Sequence, residues 1–428
     1  MPRPQPDLPE PHHPNEDSML SRKFGHEVAN YFSGSPLNRV SFLRTDYAFL
    51  STAFTHPSTS FLIFNKLNPL TKNPGELAYA SYDEVKPLVG ENPYRKTEEE
   101  LVKEYNSSTY IPQLVFLGLD SRRRDGLVYR EVYKGSPVFA LDVTPKNHLK
   151  EEAETLISHW EAKGFTFAEG RLNLNLKAGQ AAMYAEGRHL LDWNARNPFC
   201  AGCGQPTLSV HGGWKRTCPP TDLALLSSVT STTAETPNQR PSCPTRTGIT
   251  NLSFPRTDPT VIMAVVSSDG KKILLGRQKR WPPHWYSTLA GFIEPSESVE
   301  EAVRREVWEE SGIHLGRVVI HSTQPWPFPA NLMIGAIAQA IPGDGERISL
   351  GHDAELEDAR WFPFEEVREA LRIGTSGLSE PPGPDYKEGG LRVPPKTAIA
   401  YQLMHVVVNK GFLKVGDTED VIFGRRCL

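Results

Sequence analysis

The alternation of apolar and polar positions predicts two kinds of region along the chain. Phe42–Phe49, Gln113–Leu119 and Pro137–Val143 are short apolar runs that predict strands. Glu151–Lys163 has apolar residues at helical spacing, and Gly179–Ala195 places Ala181, Ala182, Ala185, Leu190 and Leu191 on one side of a second helix. Together they predict an α+β domain over residues 19–195. Farther on, Thr260–Ser267 and Lys272–Leu275 flank the turn Ser268-Asp269-Gly270, Met333–Ala340 predicts another strand, and Thr397–Asn409 a terminal helix. Strands alternating with helices on a mixed sheet predict an α/β/α sandwich over residues 258–428.

The segments around these domains differ in character. Residues 1–18 are rich in Pro, His and charge and read as a disordered tail. Residues 196–257 hold four of the five cysteines, interrupted by an insertion at 219–242 whose stretch Ser227–Ser242 is crowded with Ser, Thr, Pro and Asn.

Composition changes this picture little. Hydrophobic residues make up 38% and charged residues 23% of the 428, and the formal net charge is −4, which excludes a globally basic, nucleic-acid-coating surface. No apolar run approaches the ~20 residues of a membrane span. The N-terminus lacks the apolar stretch of a secretory signal. The ending Arg426-Cys427-Leu428 departs from the S-K-L peroxisomal address, so the expected compartment is the cytoplasm, with the peroxisome as the alternative. Five cysteines are too few for a disulfide scaffold, and their clustering points to a metal.

The candidate chemistry lies in GFIEPSESVEEAVRREVWEESGI, Gly291–Ile313. Glu306, Glu309 and Glu310 stand at i, i+3 and i+4, so a helix puts them on one face. Their mutual repulsion would destabilise the helix unless a hard divalent cation binds there. Pro295 and Ser296 suit the helix start and Gly312 its stop, while Val299, Ala302 and Val303 supply the apolar side. Arg305 is expected to pair with Glu297. The alternative is a solvated acidic helix held by Glu–Arg pairs.

The segment resembles the Nudix box, G-x5-E-x7-R-E-U-x-E-E-x-G-U, matching at Gly291, Glu297, Arg305, Glu306, Val307, Glu309, Glu310, Gly312 and Ile313. The resemblance implies a Nudix α/β/α sandwich and a Mg²⁺- or Mn²⁺-dependent hydrolase of nucleoside-diphosphate linkages. Metal ligands are then expected at the Ala290 carbonyl, Glu306 and Glu310, with Glu309 beside them, and a further carboxylate at Glu355, which has the matching offset before Trp361. Glu306, Glu309 and Glu310 form the catalytic set, and the general base among them stays unassigned, since members of the family differ. Gly291, Glu297, Arg305 and Gly312 carry structural roles.

Thr323-Gln324-Pro325-Trp326-Pro327-Phe328-Pro329-Ala330-Asn331 resembles the S-Q-P-W-P-F-P-x-S signature of NADH pyrophosphatases, with Thr323 and Asn331 replacing the terminal serines. Its closely spaced prolines exclude a helix or a central strand and would stiffen a loop, holding Trp326 and Phe328 in poses suited to stacking on a base or a nicotinamide ring. A purely structural, core-plugging loop is the alternative. The family resemblance makes Gln324, Pro325, Trp326, Pro327, Phe328, Pro329, Ala330 and Asn331 candidate substrate contacts. It adds Phe254, in the place of an aromatic before a proline, and Ala400, in AIAYQL.

Cys200-x2-Cys203 forms a zinc-knuckle pair, with 14 residues between Cys203 and Cys218 and 24 between Cys218 and Cys243. Relatives of this kind commonly have two C-x2-C pairs, so Cys243 departs from the pattern. Lengthening that loop adds roughly 2 kcal/mol of closure entropy, against the 10–16 kcal/mol typically supplied by structural zinc. A closed four-thiolate Zn²⁺ site is therefore expected, with reduced buried thiols as the alternative.

The whole resemblance implies hydrolysis of NADH or NAD⁺ to (reduced) nicotinamide mononucleotide and AMP, removal of NAD caps from RNA, and a homodimer. A hydrolase of ADP-ribose or diadenosine compounds, or a catalytically inactive nucleotide- or RNA-binding module, are the competing readings.

Overall fold

A computed structural model describes residues 6–11, 26–123, 125–169, 175–228, 238–247, 251–352 and 355–410. Most of the expected tail, Arg124, residues 229–237 of the insertion, and Cys427 lie outside the described residues. The chain divides into two compact units. One comprises Ser35–Arg256 with Pro327–Ala330, and the other Met1–Gly34, Thr257–Trp326 and Asn331–Leu428. No helix among the described residues is long and apolar enough to cross a membrane.

The Ser35–Arg256 unit is built on a mixed sheet whose centre holds β1 (Ser60–Asn65), β2 (Asn68–Asn73), β3 (Leu114–Asp120) and β4 (Tyr133–Asp142), in the order β3-β4-β1-β2. Strand β1 runs parallel to β4 and antiparallel to β2. Its residues Phe61, Leu62, Ile63 and Phe64 are all buried because both sheet faces are covered. Phe61 and Ile63 join a core with Phe49 and Phe54 of α1 (Tyr47–Thr55), Val85 of α2 (Tyr82–Val89) and Trp160 of α3 (Lys150–Ala162). On the opposite face, Phe64 stacks on Tyr184 of α4 (Ala178–Arg196) with ring centroids 6.0 Å apart. Gly187 permits this approach: a Cβ there would stand 3.1 Å from Ala140 and 3.2 Å from the Phe64 ring.

Phe42–Phe49 departs from the expected strand. A short 3-10 turn, Ser41–Leu43, leads into α1. Asp46 caps that helix by accepting from the Phe49 amide at 3.1 Å, and Phe49, Leu50, Ala53 and Phe54 are buried at helical spacing. The helical periodicity becomes visible only when the window extends past Phe49. The cysteine segment follows α4 and contains the hairpin of β5 (Leu208–Val210) and β6 (Lys215–Thr217).

The other unit holds a six-stranded mixed sheet: β7 (Asp258–Val266), β8 (Lys272–Arg277), β9 (Leu289–Phe292), β10 (Leu315–Trp326), β11 (Asn331–Ala340) and β12 (Asp358–Pro363). Its order is β10-β11-β7-β8-β12, with β9 also paired to β7. Side chains alternate along β7. Val261, Met263 and Val265 pack with Ala302, Val303 and Val307 of α5 (Val299–Ser311). Ile262, Ala264 and Val266 pack with Val367 and Leu371 of α6 (Phe364–Ile373) and with Leu403, Met404 and Val407 of α7 (Ile399–Lys410). The period-2 pattern of one strand thus builds both layers of an α/β/α sandwich.

This sheet also takes in a segment from near the N-terminus, which the sequence reading places in the first domain. The Asn30 amide donates to Ser322 Oγ at 3.0 Å and to the Thr323 carbonyl at 2.9 Å. Tyr31 and Phe32 are buried.

In the Ser35–Arg256 unit, Glu186 of α4 is buried, and neither carboxylate oxygen has a hydrogen-bond donor among the described residues. Burial pushes its carboxyl up to about 7, against the opposing pull of Arg39 and Arg44. A raised folded-state value means that the protonated form is favoured in the fold, so stability is lost as pH rises from about 4.5 through 7. Glu186→Gln should therefore melt close to wild type near pH 4.5 and gain on it by a few degrees at pH 8, on the order of 1–3 kcal/mol. Thermal melts across that range check this, and a difference independent of pH would contradict it.

Candidate active site and metal centres

Helix α5 begins three residues later than expected, at Val299 rather than around Pro295 and Ser296. Ser298 accepts from the Glu301 amide, and the Glu301 side chain reaches back to the Ser298 amide at 2.7 Å, a complete capping box. Gly312 ends the helix in the left-handed region at φ 72°. Ser349 packs there at 2.9 Å from where a Cβ would lie, so the glycine is required twice over.

Arg305 organises the carboxylates. Its Nε donates to Glu297 Oε1 at 2.6 Å and its Nη2 to Glu297 Oε2 at 2.8 Å, the expected pair in bidentate form. Nη2 also donates to the Phe292 carbonyl at 2.9 Å, and Nη1 donates to Glu306 at 2.9 Å and Glu309 at 3.0 Å. The hydrogen bonds from Arg305, followed by the Glu294 amide, hold the Glu297 carboxyl down at about 2. The Glu306 carboxyl is instead raised, first by burial and further by Glu309 and Glu355. Glu310 is 3% exposed.

Two observations bring separated segments to this helix. A Cβ added to Gly291 on β9 would lie 1.9 Å from the Glu306 carboxyl carbon, so the glycine leaves a cradle for the carboxylate against the strand carrying Ala290. Glu355 is near enough to add its charge to the Glu306 field, and it accepts from Gln278 Nε2 at 2.5 Å. Several carboxylates converging beside an open backbone strand form an all-oxygen donor set that fits a hard divalent cation.

The proline-rich segment is a strand end and a turn rather than a loop throughout. Gln324, Pro325 and Trp326 finish β10, where Pro325 faces Leu332 and Trp326 faces Asn331. This is compatible with proline because β10 is the sheet edge. Gln324 is 1% exposed, and its amide is fully engaged. Nε2 donates to the carbonyls of Tyr31 and Thr397, and Oε1 accepts from the Ile399 amide, each at 2.9 Å. The side chain expected to contact substrate is thus a fastener inside the fold. Asn331 is likewise buried and donates to Thr260 Oγ1 at 2.8 Å. Trp326 is half-buried, with the Phe32 ring edge-on at 6.0 Å. In the Ser35–Arg256 unit, Arg188 donates to the Pro327 carbonyl and lies 4.8 Å over the Phe328 ring. Phe254 is exposed in that unit, and Ala400 is buried in α7 of the other.

The four cysteines converge. The Sγ atoms of Cys200, Cys203, Cys218 and Cys243 all lie within 4.8 Å of one another, and the pairs Cys200–Cys243 and Cys203–Cys218 are 3.5 Å apart. Sulfurs about 2.3 Å from a common centre have tetrahedral edges of roughly 3.8 Å, so the cluster fits Zn²⁺. The Thr245 hydroxyl lies 3.0 Å from Cys243 Sγ, and Arg246 Nε donates to the Cys218 carbonyl at 2.9 Å. The Cys243 thiol therefore lies within the cluster despite its departure from the paired spacing.

Known protein families account for most of the chain. Residues 58–193 match an NADH pyrophosphatase-like rudimentary NUDIX domain, residues 195–225 an NADH pyrophosphatase zinc ribbon domain, and residues 256–379 a NUDIX domain. The chain is 35% identical over 383 residues to an NAD-capped RNA hydrolase of Schizosaccharomyces pombe, covering 88% of this chain and 92% of that one. It belongs to the NADH pyrophosphatase and NAD-capped RNA hydrolase family of Nudix hydrolases. It is also 37% identical over 385 residues to NAD-capped RNA hydrolase NUDT12 of Homo sapiens, covering 88% of this chain and 73% of that one. Identity to the mitochondrial NAD(P)H pyrophosphatase NUDT13 of Mus musculus is 34% over 270 residues, covering 62% and 66%.

One residue at the carboxylate site, Gln278, which donates to Glu355, carries no signal in the sequence. Its partner lies 77 positions away, beyond the reach of local spacing. The zinc ribbon yields a direct test. The purified protein should contain close to one zinc per chain by elemental analysis, and Cys243→Ser should lose it. Full zinc retention in that variant would remove Cys243 from the ligand set.

Proposed function

We propose that this protein hydrolyses the pyrophosphate of NADH and NAD⁺ to (reduced) nicotinamide mononucleotide and AMP, and removes NAD caps from RNA by breaking the same linkage. The observation that carries the reading is the Glu306 carboxylate seated in the Gly291 cradle, with Glu309 tied beside it through Arg305 and Glu355 near enough to add its charge. Membership of a family whose relatives are named for NAD-capped RNA and NAD(P)H supports the choice of substrate.

Glu306, Glu310, Glu355 and the Ala290 carbonyl would hold the cation. A bound Mg²⁺ or Mn²⁺ supplies neutralisation of pyrophosphate charge and a lowered pKa for the attacking water. Water oxygen bonds to one phosphorus, the bridging P–O bond breaks, and the leaving phosphate keeps the bridging oxygen. Arg305 keeps Glu306 and Glu309 oriented toward this event.

With Mn²⁺ or Mg²⁺, the purified protein should release AMP from NADH. Glu310→Gln should reduce this to background with an unchanged melting temperature. No AMP release by the wild type would overturn the enzyme reading, and faster cleavage of ADP-ribose than of NADH would overturn the substrate.

The protein is further proposed to be a homodimer. Family resemblance supports this, as does the edge strand β10, whose Val319 and Ile320 are 43% and 51% exposed. Light scattering should give twice the chain mass of 47.8 kDa; a mass of one chain would refute it.

A further inference from the structure

We infer that Gln278 is a positioning residue that sets Glu355 in place before the cation binds. The inference rests on the catalytic reading above, in which Glu355 is a metal ligand. Gln278 lies just past the end of β8. Its Nε2 donates to Glu355 Oε1 at 2.5 Å, and its Oε1 accepts from Arg280 Nε at 2.8 Å. The Arg280 bond fixes which end of the amide faces Glu355, because a guanidinium can only donate.

The residues beside Glu355 are tied down in the same way. The Glu357 amide donates to the Arg277 carbonyl at 2.9 Å, and the Glu357 carboxylate pairs with the Arg277 guanidinium. Asp358 accepts from Tyr286 Oη at 2.5 Å. Earlier in the same connection, His352 stacks on Trp308 of α5 at 4.3 Å between ring centroids. These anchors bring the segment to the site, and Gln278 donates to the Glu355 carboxylate itself.

Electrostatics explain why an amide occupies this position. Glu355 adds negative charge beside Glu306, and an exposed carboxylate repelled by its neighbours turns into water unless something holds it. A cation at position 278 would hold it too, but its charge would compete with the metal. A neutral amide orients the carboxylate and leaves its charge for the metal.

Mn²⁺ binding without nucleotide, followed by the electron paramagnetic resonance of the free ion, tests this. Gln278→Leu should weaken Mn²⁺ by about 10-fold at an unchanged melting temperature. Gln278→Lys should weaken it too, although it retains a donor. Glu355→Gln and the double variant Gln278→Leu/Glu355→Gln should bind Mn²⁺ equally, because Gln278 acts only through Glu355. Wild-type Mn²⁺ affinity in Gln278→Leu or in Glu355→Gln would overturn the inference. So would a double variant weaker than Glu355→Gln by the full Gln278→Leu factor. These measurements use no NADH, so a protein that binds Mn²⁺ as described but releases no AMP would sink the proposed function and leave the positioning role standing.

Discussion

Glu306 lies so close to the backbone of β9 that Gly291 has no room for even a methyl group. That approach forces the rest of the site into its present form. A carboxylate pressed against a strand loses water and is raised toward its neutral form, and like charges at Glu309 and Glu355 add to the effect. The fold counters this with one arginine, which bonds Glu297, Glu306, Glu309 and the Phe292 carbonyl at once. The helix position, the strand glycine and the Arg305 clamp depend on one another, so a shift in any of them disturbs the others.

The same economy governs the zinc ribbon. Cys243 reaches the other three thiols across the Ser/Thr-rich insertion, and Thr245 and Arg246 brace the cluster from the residues that follow it. Local geometry around Cys243, rather than the length of chain before it, brings its thiol into the cluster.

Much of this was legible in the sequence because it is local. The Nudix box encodes its helix, face and stop within 23 residues, and the alternation along β7 states both layers of the sandwich. What stayed hidden depends on distance or on context. Phe42–Phe49 read as a strand because its helical period emerges only downstream, under an Asp46 cap. The proline-rich signature read as a loop because nothing in it reveals that β10 is an edge strand. Gln324 read as a ligand contact, yet its amide is taken up by backbone groups at Tyr31, Thr397 and Ile399. The Gln278–Glu355 bond spans 77 positions, a pairing that no local pattern announces.

The docking of Tyr31 against Gln324 has a consequence for how the molecule is made. The two residues are 293 positions apart, and the Gln324 amide is also shared with Thr397 and Ile399. At 5–20 residues per second, a ribosome takes roughly 15–60 s to travel from the first partner to the second. The Ser35–Arg256 unit lies between them except for Pro327–Ala330, so nearly all of it has been synthesised before the site for Tyr31 exists. The segment carrying Tyr31 therefore waits for its partner until the chain around Gln324 has been made. For that interval two aromatics that the fold buries, Tyr31 and Phe32, await Gln324 and Trp326, and the nascent chain carries exposed apolar side chains that chaperones are suited to shield.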